Sequence, residues 1–153
     1  MSEAVAALQT GHVGINVTDL DRSVEFYRQV FGFEVLSRSE PGAERRFAFL
    51  GQDGTLLLTL WQQSAGRFHA DSPGLHHLSF QATDIEAVRA FEKNLRELGV
   101  TLYYDGIVPH REGASSGGVF FDDPDGTRLE IYSPTGADTA AAPVPGAPTC
   151  GFF

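Results

Sequence analysis

The sequence predicts an α+β fold made of two tandem β-α-β-β-β modules. Three observations lead to this prediction. The chain of 153 residues contains an internal repeat, each half opens with a strand pattern followed by a helix pattern, and each half closes around an Asp-Gly-Thr tripeptide. A chain of this length is large enough for one compact domain or two small fused modules.

The repeat is visible in two pairs of segments. From His12 the chain reads HVGINVTDLDRSVEFY, and from His77 it reads HLSFQATDIEAVRAFE, with His, Thr, Asp and Phe at the same offsets. Further along, FAFLGQDGTLLLTLW at residues 47–61 parallels VFFDDPDGTRLEIYS at residues 119–133. The shared Asp-Gly is typical of a tight hairpin turn, since these residues tolerate the positive φ that such turns require.

In the first module, residues 12–17 alternate between apolar and small or polar side chains, which indicates a strand. Asp19 is placed to cap a helix whose apolar residues recur at helical spacing, and Gly32 is placed to end it. Three further strands are predicted at about 33–39, 45–51 and 55–61.

The second module repeats this order. A strand is predicted at 76–82 and a helix at 85–98 that stops at Gly99. Three strands follow, near 100–105, 117–122 and 127–132. The predicted organisation is therefore a first module at 10–62, a linker loop at 63–74, a second module at 75–133 and a tail at 134–153. The Ala/Pro/Gly-rich composition of the tail predicts that it stays outside the core.

Composition narrows the classes of function. A net charge of −9 and a pI near 4.8 argue against nucleic acid or an anionic membrane as a partner. The sequence has no apolar run long enough to span a membrane and no signal-peptide pattern at its start, so we expect a cytoplasmic protein that binds a small molecule. The single cysteine excludes a cysteine-based zinc site, so a metal would need His and carboxylate ligands.

Strand parity brings three such ligands onto equivalent faces. Side chains alternate along a strand, so His12, His77 and Glu130 all lie on the sheet faces that point away from the predicted helices. Each residue alone is more often an ordinary surface or core residue. Together, two imidazoles and one carboxylate are a ligand set suited to Fe²⁺, Mn²⁺ or Zn²⁺ with open positions for substrate.

The segment GLHHLSF at 74–80 contains two adjacent histidines that parity separates. His77 shares the register of His12 and is the predicted ligand. His76 belongs to the opposite face, where we expect a structural or partly exposed role. A one-residue error in strand register would exchange these assignments.

Three segments resemble the vicinal oxygen chelate superfamily, which contains glyoxalase I, extradiol dioxygenases, fosfomycin-resistance transferases and bleomycin-binding proteins. They are GHVGINVTDLDRSVEFYRQVFGFEV, GLHHLSFQATD and FFDDPDGTRLEIY. The resemblance covers residues 10–133 and implies that the modules form an open curved sheet, or cup, around a divalent ion. By motif position, His12, His77 and Glu130 look like its ligands. The resemblance also implies a homodimer, with the site completed within one chain or across two.

The resemblance favours a three-ligand site. The repeat aligns Glu130 with Leu58, where four-ligand relatives carry a further ligand. The segment VPHREGASSGGVFFDDPDGTRLE is similar to the extradiol signature, with His110 at its histidine position and Phe120 where the signature has tyrosine. Arg111, in the same loop, is a candidate to bind an anionic substrate. His110 and Arg111 are therefore the predicted catalytic residues.

Two functions follow from these residues. The first is a metal-dependent enzyme that acts on a small substrate through two vicinal oxygens, and the substrate is expected to be an aromatic or vicinal-oxygen compound. Within this class, ring-cleaving dioxygenase chemistry ranks ahead of lyase, isomerase or transferase chemistry. The alternative is a protein that sequesters an antibiotic or natural product without chemistry, as the bleomycin-binding relatives do. The three ligand types favour the enzyme, while Phe120 and the apolar fourth position favour sequestration.

Overall fold

The computed structural model describes residues 5–151. The predictions that concern residues 1–4 and the terminal Phe152 and Phe153 lie outside this range. The chain divides into two compact units, Met1–Ala65 and Gly66–Phe153. Within the described residues, each unit contains one α-helix and one four-stranded sheet. The predicted α+β class and the tandem arrangement of modules are confirmed.

The first unit follows the order β-α-β-β-β. Its elements are β1 (Val13–Asn16), α1 (Leu20–Phe31), β2 (Glu34–Arg38), β3 (Phe47–Gln52) and β4 (Thr55–Trp61). The sheet order is β1-β4-β3-β2, with β1 parallel to β4 and the other pairs antiparallel. The core between helix and sheet is formed by Val17, Leu20, Val24, Tyr27, Leu50, Leu58 and Leu60.

The ends of α1 form as the sequence predicts. The Asp19 carboxylate accepts a hydrogen bond from the Arg22 N–H at 3.1 Å, which satisfies a donor that the helix leaves unpaired. Gly32 ends the helix in the left-handed conformation, at φ 72°, which glycine adopts without steric cost. The predicted turn between β3 and β4 also forms, with positive φ at both Asp53 and Gly54.

A β-bulge in the first sheet changes the register that the repeat predicts. Pairing between β3 and β4 shifts by one residue between Leu50 and Gly51. A side chain at Gly51 would meet the Thr55 carbonyl oxygen at 1.9 Å, so only glycine permits this close backbone approach. The bulge moves the residues of β4 by one position relative to those of the second module.

The second unit repeats the order of elements. They are β5 (Leu78–Gln81), α2 (Ile85–Glu97), β6 (Val108–Pro109), β7 (Gly117–Asp122) and β8 (Arg128–Ser133), followed by a short 3₁₀ turn, Thr149–Gly151. The sheet order β5-β8-β7-β6 matches that of the first unit. Asp84 caps α2 by accepting the Ala87 N–H at 2.8 Å, as Asp19 caps α1.

The strand predicted near 100–105 is wrong. Leu102 forms one isolated bridge to Phe121, and the strand that pairs with β7 is the two-residue β6 further along. Side-chain hydrogen bonds hold the segment instead, because Tyr103 donates to Asp122 at 2.9 Å and Tyr104 donates to the Thr149 carbonyl at 2.9 Å. The positive φ of Gly106 then bends the chain towards β6.

The tail contradicts the expectation drawn from its composition. Ala137 and Thr149 are fully buried, and Cys150 packs against Val108 and Phe120. The described part of the tail therefore belongs to the second unit. Among the described residues, no helix is long and apolar enough to cross a membrane.

Candidate functional site

The second sheet places a carboxylate on the face opposite its helix. Leu129 and Ile131 of β8 are fully buried on the helix side, so Glu130 between them points to the other face, which we call the helix-distal face. The Glu130 side chain is only 5% exposed. A carboxylate this deeply buried is costly unless hydrogen bonds or a cation compensate for its lost hydration.

His110 contacts this carboxylate directly. Its Nε2 lies 2.7 Å from Glu130 Oε2, and its Nδ1 lies 2.8 Å from the Ser116 hydroxyl. The backbone fixes the ring as well, since the His110 N–H donates to the Ser116 carbonyl at 2.8 Å. The Tyr132 ring lies 5.0 Å from the imidazole, between centroids. The His110 ring is therefore held by Ser116, just before β7, and by β8, with one ring nitrogen on the Glu130 carboxylate.

His77 lies in the electrostatic field of the same carboxylate. Burial lowers the pKa of its imidazole, and the opposing attraction of Glu130 only partly offsets this effect. The shift favours the neutral ring, which is the form that binds metal ions. The Nδ1 atoms of His77 and His76 lie 2.8 Å apart. His76 itself is exposed, and its carbonyl accepts a hydrogen bond from Arg128 Nε at 3.0 Å.

His12 occupies the corresponding place in the first unit. It lies one residue before β1, as His77 lies one residue before β5, and its side chain is exposed. Within residues 5–151, no three His, Cys, Asp or Glu side chains are grouped so as to hold a metal ion. The structure thus brings Glu130 together with His110, while the ligand set of His12, His77 and Glu130 stays a prediction.

The position in the first module that corresponds to Glu130 is Thr59. Glu130 pairs with Ser79 in the second sheet, and its counterpart in the first sheet pairs with Gly14, which is Thr59 rather than Leu58. The bulge at Gly51 causes this difference. Thr59 is buried, and its hydroxyl accepts the Trp61 Nε1–H at 3.2 Å. The position where four-ligand relatives carry a further metal ligand is therefore occupied by the Thr59 hydroxyl, on the helix-distal face, and not by a carboxylate.

Arg111 is placed differently from His110. Its side chain is exposed and lines a shallow surface depression with Glu112, Gly146, Ala147 and Pro148. The structure does not bring it against Glu130. Binding of an anionic substrate by Arg111 stays a prediction.

Two residues of the site could not be recognised in the sequence. Ser116 positions the His110 ring, and its place in the Gly/Ser-rich loop gives no sign of this role. The antiparallel pairing of β6 with β7 would indicate it, because pairing Val108 with Gly118 brings His110 opposite Ser116. The Thr149 N–H donates to the His110 carbonyl, and Thr149 belongs to the tail, which its composition predicts to stay outside the core.

Aromatic side chains occupy the helix-distal face of the first sheet. The Phe47 ring lies 5.0 Å from that of Phe49 and 5.3 Å from that of Trp61, and all three side chains are half-buried. Phenylalanine side chains are most often buried in the core. Phe120 does lie in the core, whereas these three form a partly exposed apolar surface.

Comparison with known proteins identifies the family. Residues 9–131 match the Glyoxalase/Bleomycin resistance protein/Dioxygenase superfamily. The chain belongs to this superfamily. The resemblance of its three motifs to this group is thereby confirmed.

Among curated proteins, relatives of this superfamily member carry different activities. It is 30% identical to a trivalent organoarsenical cleaving enzyme from Bacillus sp. (strain MD1), over 82% of this chain and 73% of the relative. It is 33% identical to lactoylglutathione lyase from Haemophilus influenzae, over 81% of this chain and 91% of the relative. A catechol-2,3-dioxygenase from Bacillus subtilis is 26% identical over 80% of this chain, which spans only 40% of that protein.

Solved structures show the same fold. A glyoxylase/bleomycin resistance protein/dioxygenase domain from Frankia sp. EAN1pec superposes with a TM-score of 0.71 at 24% identity, covering 84% of this chain and 98% of the other. A mutant of the fosfomycin resistance protein FosX from Listeria monocytogenes, complexed with Mn(II) and 1S,2S-dihydroxypropylphosphonic acid, gives 0.64 at 20% identity, covering 86% and 95%.

Proposed function

We propose that this superfamily member is a divalent-metal-dependent enzyme that acts on a small substrate through two adjacent oxygens. The observation that carries the proposal is the buried Glu130 carboxylate on the helix-distal face, held by His110 at 2.7 Å and lying in the field of His77. The predicted metal ligands are His77 and Glu130, with His12 as the third. The Mn(II) bound in the FosX structure supports a divalent ion in a protein of this fold.

The donor set fits such an ion. A neutral imidazole and a buried carboxylate bind Mn²⁺, Fe²⁺ or Zn²⁺ well, and a cation would offset the cost of burying the Glu130 charge. An ion held there would supply Lewis-acid stabilisation of negative charge on two neighbouring substrate oxygens. The hydrogen bond from His110 would orient the carboxylate, as partners outside the ligand sphere do in metal sites.

His110 is the proposed proton-transfer group. Its ring bridges the Ser116 hydroxyl and the Glu130 carboxylate, so a proton can be held on either nitrogen in a defined orientation. The buried Phe120 lies beside it, at 6.4 Å between ring centroids, and excludes water from that side. These features suit proton transfer through His110 between the Ser116 hydroxyl and the Glu130 carboxylate. The relatives include a dioxygenase and a lyase, so the proposal includes both ring cleavage and lyase chemistry.

The adjacent histidines provide a matched test of the ligand assignment. We expect His77→Ala to abolish stoichiometric Mn(II) binding. His76→Ala removes only a neighbour of the His77 ring, so it should keep stoichiometric binding with an affinity lowered about tenfold. Metal content by elemental analysis and affinity by Mn(II) electron paramagnetic resonance measure the difference. Metal-free wild-type protein that fails to bind Mn(II), Fe(II) or Zn(II) would overturn the enzyme proposal.

The dioxygenase branch has its own test. The protein is loaded with Fe(II) without oxygen and then given a panel of catechols in oxygenated buffer. Oxygen uptake with a yellow ring-cleavage product, lost in His110→Ala, supports ring cleavage. A metal-loaded protein that consumes no oxygen with any catechol rejects this branch and leaves lyase or transferase chemistry.

A second candidate is sequestration of a planar natural product without chemistry. The cluster of Phe47, Phe49 and Trp61 favours it, since half-buried aromatic rings bind flat apolar ligands. Trp61 is the only tryptophan, so its fluorescence reports binding directly. Quenching by an aromatic antibiotic that is equal in wild-type, metal-free and His77→Ala protein would support sequestration. Quenching that requires metal would support the enzyme.

A further inference from the structure

We propose that Thr149 is a positioning residue, through which the C-terminal segment at 137–151 holds His110 against Glu130. This inference rests on the proposed function, because it concerns the geometry of the same site. Thr149 does not contact the Glu130 carboxylate. It acts through the backbone at His110, on the strand edge that carries the imidazole.

The contacts of Thr149 converge on that strand edge. Its N–H donates to the His110 carbonyl at 2.8 Å, and its hydroxyl donates to the Pro109 carbonyl at 2.6 Å. Its own carbonyl accepts the Tyr104 hydroxyl at 2.9 Å. Thr149 is fully buried, so these hydrogen bonds are shielded from water. The residue therefore fixes both β6 and the first residue after it.

A second anchor holds the other partner of His110. The Ala137 N–H donates to the Ser115 carbonyl at 2.8 Å, next to Ser116, whose hydroxyl contacts the imidazole. Ala137 packs so closely that a side chain at Gly117 would come within 2.6 Å of its methyl group. Both backbone segments that hold the His110 ring are thus tied to the tail.

Packing joins the two anchors to the interior of the unit. Cys150 lies against Val108 and Phe120, and Phe120 is the β7 residue paired with Glu130. Burial raises the pKa of its thiol, and the Glu130 charge adds to this rise. Loss of the tail would expose this side of the His110–Glu130 pair.

Point variants of Thr149 separate positioning from general stability. Thr149→Val removes the hydroxyl at nearly constant volume, while Thr149→Ser keeps it. Val88→Ala is the control, because Val88 is fully buried in α2 on the opposite side of the sheet. For each protein, the thermal midpoint, the Mn(II) affinity by electron paramagnetic resonance, and the rate of His110 carbethoxylation in metal-free protein are measured.

We expect Thr149→Val to weaken Mn(II) binding about tenfold, the range found for partners outside the ligand sphere. Its His110 should also react several-fold faster than in wild type, by peptide mass spectrometry. Thr149→Ser should stay within about twofold of wild type in both measurements. Val88→Ala should lower the thermal midpoint without changing either.

Two results would overturn the inference. One is a Thr149→Val protein with wild-type affinity and His110 reactivity. The other is a Val88→Ala protein whose affinity and reactivity change as much as those of Thr149→Val at an equal loss of thermal midpoint. A wild-type protein that binds no Mn(II) rejects the proposed function instead, and the carbethoxylation rates then decide alone whether Thr149 holds His110.

Discussion

At the scale of single residues, the central feature is a buried carboxylate. Glu130 is 5% exposed and contacts His110 at 2.7 Å. The sequence predicted Glu130 and His110 separately, from strand parity and from the extradiol resemblance. Their direct contact could not be predicted, because it depends on β6 being short and lying beside β7.

Replacing the charge at Glu130 tests its role. Glu130→Gln keeps the size of the side chain. We therefore expect the free energy of unfolding of the metal-free protein to stay within about 1 kcal/mol of wild type, the net contribution of one hydrogen bond. Its Mn(II) affinity should fall more than about 100-fold, since a ligand matters more than its hydrogen-bond partners. Urea unfolding and Mn(II) titration measure both. Glu86→Gln, on the exposed face of α2, should change neither quantity.

An exposed charge cluster gives a prediction of pH dependence. A hydrogen bond from Arg46 lowers the pKa of the Asp21 carboxyl, and the charge of Arg46 and contacts from Arg38 add to this effect. A lowered folded-state pKa stabilises the fold above the unfolded-state value of about 3.9 and ceases to do so as the pH falls.

We therefore expect Asp21→Asn to have a lower thermal midpoint than wild type near pH 7, with a difference that shrinks as the pH falls below about 3.9. Thermal midpoints across this range measure the difference. The same substitution at the exposed loop residue Asp71 should show no such trend. A difference for Asp21→Asn that is constant with pH would contradict the electrostatic explanation.

At the scale of elements, the two helices begin in the same way. Asp19 and Asp84 each accept a backbone N–H of the first turn, and they are equivalent in the sequence repeat. We expect Asp19→Ala and Asp84→Ala each to lower the free energy of unfolding by about 1 kcal/mol. Urea unfolding at neutral pH measures this loss, with Asp71→Ala as an exposed control. A loss at only one of the two positions would contradict the structural equivalence of the modules.

The helices and their caps were predictable because the signals are local. The β-bulge at Gly51 was not, since it depends on the approach of the Thr55 carbonyl from the next strand. It changed the fourth position from Leu58 to Thr59. The strand predicted at 100–105 was wrong for the same reason, because hydrogen bonds from Tyr103 and Tyr104 to residues distant in the sequence hold this segment.

The burial of Thr149 in the tail could not be predicted from the composition of the tail. Segments rich in Ala, Pro and Gly lack the large apolar side chains that usually drive burial. Here Thr149 is buried by specific hydrogen bonds to Pro109 and His110. Such contacts depend on where the strand edge lies, which composition does not record.

At the scale of the whole molecule, two modules of the same design carry different groups at equivalent places. The helix-distal face of the first sheet carries Thr59 and an aromatic cluster, and that of the second carries Glu130 and His110. Two groups are common to both modules: the histidine before the first strand, His12 or His77, and the phenylalanine paired with Thr59 or Glu130, which is Phe49 or Phe120. The predicted ligand set takes its third member from the first module, so metal binding by one protein should depend on residues of both.

Metal-linked stability tests this dependence on the whole chain. Mn(II) at 100 times its dissociation constant should raise the free energy of unfolding by about 2.7 kcal/mol, because the ion binds the folded state. We expect His12→Ala to lose most of this gain, measured by thermal unfolding with and without Mn(II) at the wild-type concentration. Asn16→Ala, an exposed residue of β1, is the control and should keep it. If His12→Ala keeps the full gain while His77→Ala loses it, the metal ligands come from the second module alone and the three-ligand set is wrong.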